Sequence, residues 1–140
     1  MTRTNSRIKA MFALYNYDIT KEMINKNSLD DMINLNSTEE IEFDDSLYTK
    51  IVNGVINNLR AIDLVINRNL EDWTIDRLNA VDRALIRIAV YEMLYTDTPK
   101  TVIINEILNL THEYSEMEGL QESRFNNKLL DKIRKNIDGK

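Results

Sequence analysis

Residues 81–111, VDRALIRIAVYEMLYTDTPKTVIINEILNLT, constrain this chain more than any other stretch, because they write two apolar helices and the joint between them. Val81, Leu85, Ile88 and Glu92 fall on one helical stripe, and Ile86, Val90, Met93 and Leu94 on a second. A helix apolar around most of its circumference belongs at the centre of a bundle. Asn79 is placed to cap it, with Asp82 three residues on completing a capping box and facing the positive end of the helix dipole. Thr98-Pro99 opens the next helix, where proline at the first position loses only an amide that has no partner anyway. That helix carries Val102, Ile103, Ile107, Leu110 and Tyr114 on its apolar side, with Asn105 and Glu106 embedded in the run. Two helices joined so tightly are predicted to pack as antiparallel neighbours.

The rest of the chain fits the same class. One Pro and three Gly in 140 residues, 43% of them hydrophobic, favour long helices over a many-turned β fold. Ile8, Met11, Phe12 and Tyr15 predict a first helix over residues 5–17, and residues 20–36 read as a weaker, Asn-rich helical segment. Ser37 with Glu40 offers a capping box. Asp44 or Asp45 then begins one long helix through Leu47, Ile51, Val55, Leu59, Ile62 and Ile66, ending near Asn69. A turn follows around residues 73–78, and a loop over residues 115–119 precedes a last helix with Phe125, Leu129, Leu130, Ile133 and Ile137 on its apolar side. The expectation is a single all-α domain without internal repeats.

The formal charge is −5, yet its distribution is uneven. Residues 1–21 carry +3 from Arg3, Arg7, Lys9 and Lys21 against Asp18. Residues 121–140 also carry +3, which leaves −11 for the middle. If the two ends meet in space, they form a local basic surface on an acidic protein, able to hold phosphates with salt sensitivity.

Several chemistries are excluded. Three scattered glycines cannot build a phosphate-cradling loop. One His and no Cys leave no multi-His metal site, no thiolate site and no Cys/His nucleophile pair. No cofactor is expected. The absence of Cys, of a signal peptide and of a bilayer-length apolar run suits a soluble cytoplasmic protein without a membrane partner. His112 suits a helix-end or structural role, and Arg87, Glu92 and Glu106 favour a buried polar network between the central helices. Phe125 suits a core position or a base-stacking platform equally well from its spacing alone. Asp82 as a cap and Asp82 as a partner contact are likewise both open.

The order of motifs carries a further signal. Arg7-x-x-Ala10 with Ala13-Leu14-Tyr15 is followed by Trp73-x-x-x-Arg77, Val81-Asp82-Arg83 and Leu85-x-Arg87-x-Ala89-x-Tyr91-Glu92. Pro99-x-x-Val102-x-Ile104-Asn105-Glu106 and Phe125-x-Asn127-x-x-Leu130 complete the series. It resembles the transcription antitermination factor NusB family over nearly the whole chain. That resemblance implies two small packed bundles of about seven helices and no catalytic activity. It implies a heterodimer with NusE, a small-subunit ribosomal protein, which together grip boxA RNA of ribosomal RNA leaders and join the RNA polymerase antitermination complex. Self-association of the free protein stays open. By resemblance the RNA-binding residues are Arg3, Arg7, Arg87, Gln121, Arg124, Phe125, Asn127 and Lys128, and the NusE-binding residues are Tyr15, Asp82, Tyr91 and Glu92. The family usually reads Phe-Val-Asn-Gly where this chain reads Phe125-Asn126-Asn127-Lys128, and the extra arginines common near Arg3 and Arg7 are absent. Two alternatives stand beside this reading: a helical interaction module that has lost RNA binding, and the RNA-binding domain of a ribosomal RNA cytosine methyltransferase, whose catalytic Cys and glycine loop are not here.

Overall fold

The computed structural model describes residues 2–24, 29, 42–71, 74–115 and 121–139. Six α-helices run through them: α1 (Thr2–Thr20), α2 (Asp45–Asn57), α3 (Leu59–Asn69), α4 (Ala80–Tyr95), α5 (Lys100–Tyr114) and α6 (Gln121–Asp138). A 3-10 turn at Ile75–Arg77 links α3 to α4, and no strand occurs among the described residues. The expected helical segment at 20–36 and the Ser37/Glu40 capping box fall mainly outside them, although Leu29 is helical and fully buried. Trp73 and all but Ser115 of the loop expected at 115–119 also lie outside.

The sequence-predicted centre is the structural centre. Every residue of α4 from Ala84 to Met93 is buried, and the helix packs against α1, α2, α3, α5 and α6. Asn79 caps it as expected: its Oδ1 accepts from the Asp82 amide at 2.8 Å. Asp82 answers through its side chain, accepting from Asn79 Nδ2 at 2.9 Å. Pro99 stands one residue earlier than expected, as the cap of α5, where its carbonyl accepts from the amides of Val102 and Ile103 at 3.0 and 3.1 Å.

The single long helix expected from Asp44 to Asn69 is two helices. Capping by Asp44, whose Oδ1 accepts from the Leu47 amide at 3.0 Å, agrees with expectation. The break comes at Asn58, whose backbone amide and side-chain amide both donate to the Gly54 carbonyl, at 3.1 and 2.8 Å. Asparagine competes in this way with the regular helical ladder. The bend lets Ile51 and Val55 of α2 and Ile62 and Ile66 of α3 all reach the core. Gly54 itself permits a close approach, because a Cβ there would stand 2.1 Å from the Tyr91 ring.

The register of the bundle follows from long-range polar contacts. Arg7 of α1 meets Glu92 of α4, while Asp18 at the other end of α1 meets Arg83 and Arg87, so these two helices are antiparallel. Ser115 just after α5 meets Asp82 at the start of α4, which sets the expected antiparallel pair. Lys100 and Asp138, 3.1 Å apart, bring the start of α5 to the end of α6.

Candidate RNA and partner interface

Burial sorts the sequence-predicted residues into two groups. Arg7 is 3% exposed, and its Nε and Nη2 donate to Glu92 Oε2 and Oε1, both at 2.8 Å. Its Nη1 reaches Glu106 Oε1 at 3.2 Å, which also accepts from Thr4 Oγ1 at 2.8 Å. The hydrogen bond to Glu92 raises the Arg7 pKa against the opposing effect of burial, so the guanidinium stays charged. In this arrangement Arg7 and Glu92 tie α1 to α4 and α5, and neither is free to meet RNA or a protein partner. Lys9 is fully buried as well, with Nζ 4.6 Å from the Phe43 ring centroid, 4.8 Å from that of Tyr48 and 3.9 Å from Asp45 Oδ1. Half of the basic N-terminal segment is therefore interior charge, and the expected surface is reduced to Arg3 and Lys21, both exposed.

Arg87 is also internal, but with different partners from those expected. Its Nε and Nη2 donate to Asp63 Oδ1 and Oδ2 of α3 at 2.9 Å each, and its Nη1 to Asp18 Oδ1 of α1 at 3.4 Å. Arg83 Nε completes the cluster with Asp18 Oδ2 at 2.6 Å. The anticipated network of Arg87, Glu92 and Glu106 is thus two networks, one at each end of α4. Burial pushes the Asp18 carboxyl up, but the hydrogen bond and charge of Arg83, with the charge of Arg87, outweigh it and hold it below the ordinary range. A carboxylate with a lowered folded pKa stabilises the fold fully above its unfolded value, near about 3.9, and loses that contribution as pH falls through the folded one. Asp18→Asn is accordingly expected to cost about 1.5–3 kcal/mol at neutral pH. Thermal melts across the acid range check it: the gap to wild type narrows as pH drops below that of free aspartate.

Asp82 is 4% exposed and serves as a buried hub rather than a surface contact. Besides its bond from Asn79, it accepts at Oδ1 from Ser115 Oγ at 2.6 Å and from Asn126 Nδ2 at 3.0 Å. Asn126 Nδ2 also reaches Thr111 Oγ1 at 3.3 Å. Burial pushes the Asp82 carboxyl up, and the hydrogen bonds from Ser115 and Asn126 offset only part of that. The sequence had shown Asn126 only as a departure from a motif; here it is fully buried and fixes the first turns of α6. Tyr91, 9% exposed, lies on α2 and stacks on Tyr95 with centroids 5.7 Å apart, so it too is mainly interior.

What remains outside is more compact. Arg124, Asn127 and Lys128 are exposed on the outer face of α6, followed one and two turns on by Lys132 and Lys135. Gln121 begins that helix, and its side chain lies outside the described residues. Phe125 is half-buried, packed against the core while also lining a cavity of about 170 Å³ with Asn69, Leu70, Glu71, Lys128, Leu129 and Lys132. Arg3 is exposed, but it sits at the Glu106 end of the molecule, whereas Arg124 sits at the Asp82 end. Ten residues of α4 separate Asp82 from Glu92, about 15 Å along the axis. On the α1 side, Tyr15 is 38% exposed one turn beyond Phe12, whose ring meets Tyr114 edge-on at 5.8 Å. Tyr114, not singled out as a contact from sequence, is 36% exposed and extends this aromatic ledge.

An all-helical domain is what this geometry defines: its outer chemistry is cationic along α6 and aromatic at Tyr15 and Tyr114, while Arg7, Arg83, Arg87 and their carboxylate partners join helices inside. The NusB family model matches residues 4–135. The chain is 38% identical over 138 residues to the transcription antitermination protein NusB of Treponema denticola, covering 94% of this chain and 95% of that one. It is 36% identical over 135 residues to NusB of Bacillus cereus, at 96% and 98% coverage. Among solved structures it superposes on T. maritima NusB with a TM-score of 0.76 and 27% identity, over 96% of this chain and 92% of that one. It also superposes on a structure of antitermination factors NusB and NusE in complex with double-stranded RNA, with a TM-score of 0.74, 26% identity and coverage of 96% and 97%. The chain belongs to the NusB family.

No helix among the described residues is long and apolar enough to cross a membrane.

Proposed function

We propose that this chain is a non-enzymatic antitermination factor that pairs with NusE, holds boxA RNA of ribosomal RNA leader transcripts, and delivers it to the RNA polymerase antitermination complex. The observation that carries this reading is the outer face of α6, where Arg124 and Lys128 are exposed one turn apart and Lys128 lines a cavity together with Phe125. Single-stranded RNA is held by such a pairing of cations for phosphates with an aromatic face for a splayed base. Neither Arg124 nor Lys128 has an ion-pair partner among the described residues. The solved complex of a NusB relative with NusE and double-stranded RNA supports NusE and RNA as the classes of partner.

The overall acidity explains why a partner is needed. A chain of net charge −5 gains little from counterion release unless a basic protein completes the surface. The Tyr15 and Tyr114 ledge is the face we assign to NusE, because exposed tyrosines supply apolar area with a polar tip.

Replacing Arg124 and Lys128 together by Gln tests the RNA face. Both side chains are exposed, so the melting temperature is expected to hold. The log–log salt slope of RNA binding by the NusE complex should flatten by about 1.4, the release of about 0.7 counterion per lost contact on a single strand. An unchanged slope would remove α6 from the RNA interface.

A further inference from the structure

The cavity beside Phe125 has a larger neighbour. Asn69 lines both, so the two are adjacent parts of a trough between α3 and α6. The larger part, about 470 Å³, is lined by Val65, Arg68, Asn69, Lys135, Asn136 and Ile137, with Gly139 at its end. Building on the RNA-binding role of α6, we propose that this larger part is a second RNA subsite, in which Arg68 and Lys135 hold phosphates of nucleotides flanking the stretch bound at Arg124, Phe125 and Lys128.

Three features of the trough point to a nucleic-acid strand. Its cations are available: Arg68 is exposed and has no ion pair among the described residues. Lys135 pairs with Asp131 at 3.1 Å, but the two are 67% and 43% exposed, and Lys132 meets Glu71 at 4.0 Å with 45% and 81% exposure. Exposed pairs of this kind contribute little and can exchange a carboxylate for a phosphate. The walls are held at a fixed separation, because Asn136 Nδ2 donates to Asn69 Oδ1 and Asn69 Nδ2 donates to the Val65 carbonyl at 2.8 Å. That amide pair clamps the end of α3 to α6. The spacing also fits: Arg124, Lys128, Lys132 and Lys135 share one face of α6. The seven residues from Lys128 to Lys135 span about 10 Å. At about 3.4 Å per stacked nucleotide, that is on the order of three nucleotides. Val65 and Ile137 add apolar surface for ribose or a base face.

The test uses the full chain in complex with NusE, as wild type and as the R68Q/K135Q variant. Each is titrated with boxA RNA and with the same RNA lengthened by about three nucleotides on one side or the other, between about 50 and 200 mM salt. Lengthening on one side should raise wild-type affinity about tenfold and steepen the log–log salt slope by about 1.4, two further phosphate contacts. The double variant, with an unchanged melting temperature, should bind the unlengthened RNA as wild type does and lose both gains. Unlengthened RNA bound with no gain from either extension would overturn the second subsite alone and leave the α6 interface standing. No binding of any RNA would overturn both. A gain retained in the double variant would also overturn it, and so would a variant that instead loses affinity for a hexaglutamate peptide, since the trough would then belong to an acidic protein segment.

Discussion

Replacing Arg7 by Ala is expected to lower the unfolding free energy by about 3–5 kcal/mol, the cost of leaving a buried charge without its partner. The side chains of Arg7 and Glu92 are 3% and 1% exposed, and two parallel hydrogen bonds of 2.8 Å join them. Without the guanidinium, Glu92 is left inside α4 with no countercharge, and Glu106 keeps only the Thr4 hydroxyl as its contact with α1. Lysine cannot supply the two-pronged geometry, so Arg7→Lys should recover only part of the loss. Removing Glu92 as well should cost less than the two single losses together, because the double variant no longer strands a charge. Urea titrations of wild type, the two Arg7 variants, the Glu92 variant and the double variant check this. Had Arg7 been an RNA contact, its removal would have weakened RNA binding and left stability nearly untouched; the geometry predicts the reverse.

The second large effect falls at the opposite end of α4. Asp82→Ala removes the acceptor shared by Ser115, Asn126 and Asn79 and leaves the first two donors buried. At about 1–3 kcal/mol for each stranded group, and with partial rescue by water near Asn79, a loss of about 2–4 kcal/mol is expected. The change should also reach the RNA face, since Asn126 anchors the turn that carries Arg124, Phe125 and Lys128. Asp82→Asn separates charge from shape. It keeps an acceptor for Ser115 and Asn126 while removing a carboxylate whose pKa burial raises. A raised pKa means that ionisation costs stability as pH climbs through the folded value, so Asp82→Asn should lose less than Asp82→Ala at neutral pH. Denaturant unfolding of both variants, with RNA titration of the milder one, reads the two effects separately.

Much of the fold was legible because it rests on local signals. The apolar circumference of α4, the Asn79 cap and the proline joint each announce themselves within a few residues, and together they place the centre of the bundle. The break at Asn58 was not legible, since the apolar spacing from Ile51 to Ile66 runs across it without interruption. Only the fold shows that both halves must turn toward α4. The charged residues were harder still. Arg7 and Lys9 look like surface cations in the sequence, and their partners Glu92 and Asp45 lie 85 and 36 positions away. The lone Asp18 in an otherwise basic segment was a usable hint that arginines would converge on it, as Arg83 and Arg87 do. Asn126 read as a defect in a motif because its value depends on Asp82, 44 positions earlier. On α6 the pattern was plainer: Arg124 and Lys128, off the apolar stripe, are exposed, and Phe125, on it, is half-buried against the core.

The central claim is that a basic partner turns this acidic chain into a boxA reader. Its most direct test is one salt-controlled titration of boxA RNA and a scrambled RNA of equal length against the chain alone, NusE alone and their mixture. The account predicts weak binding by either protein and tight binding by the pair, with boxA preferred over the scrambled strand. Weak binding that is equal with and without NusE, and indifferent to sequence, would contradict it.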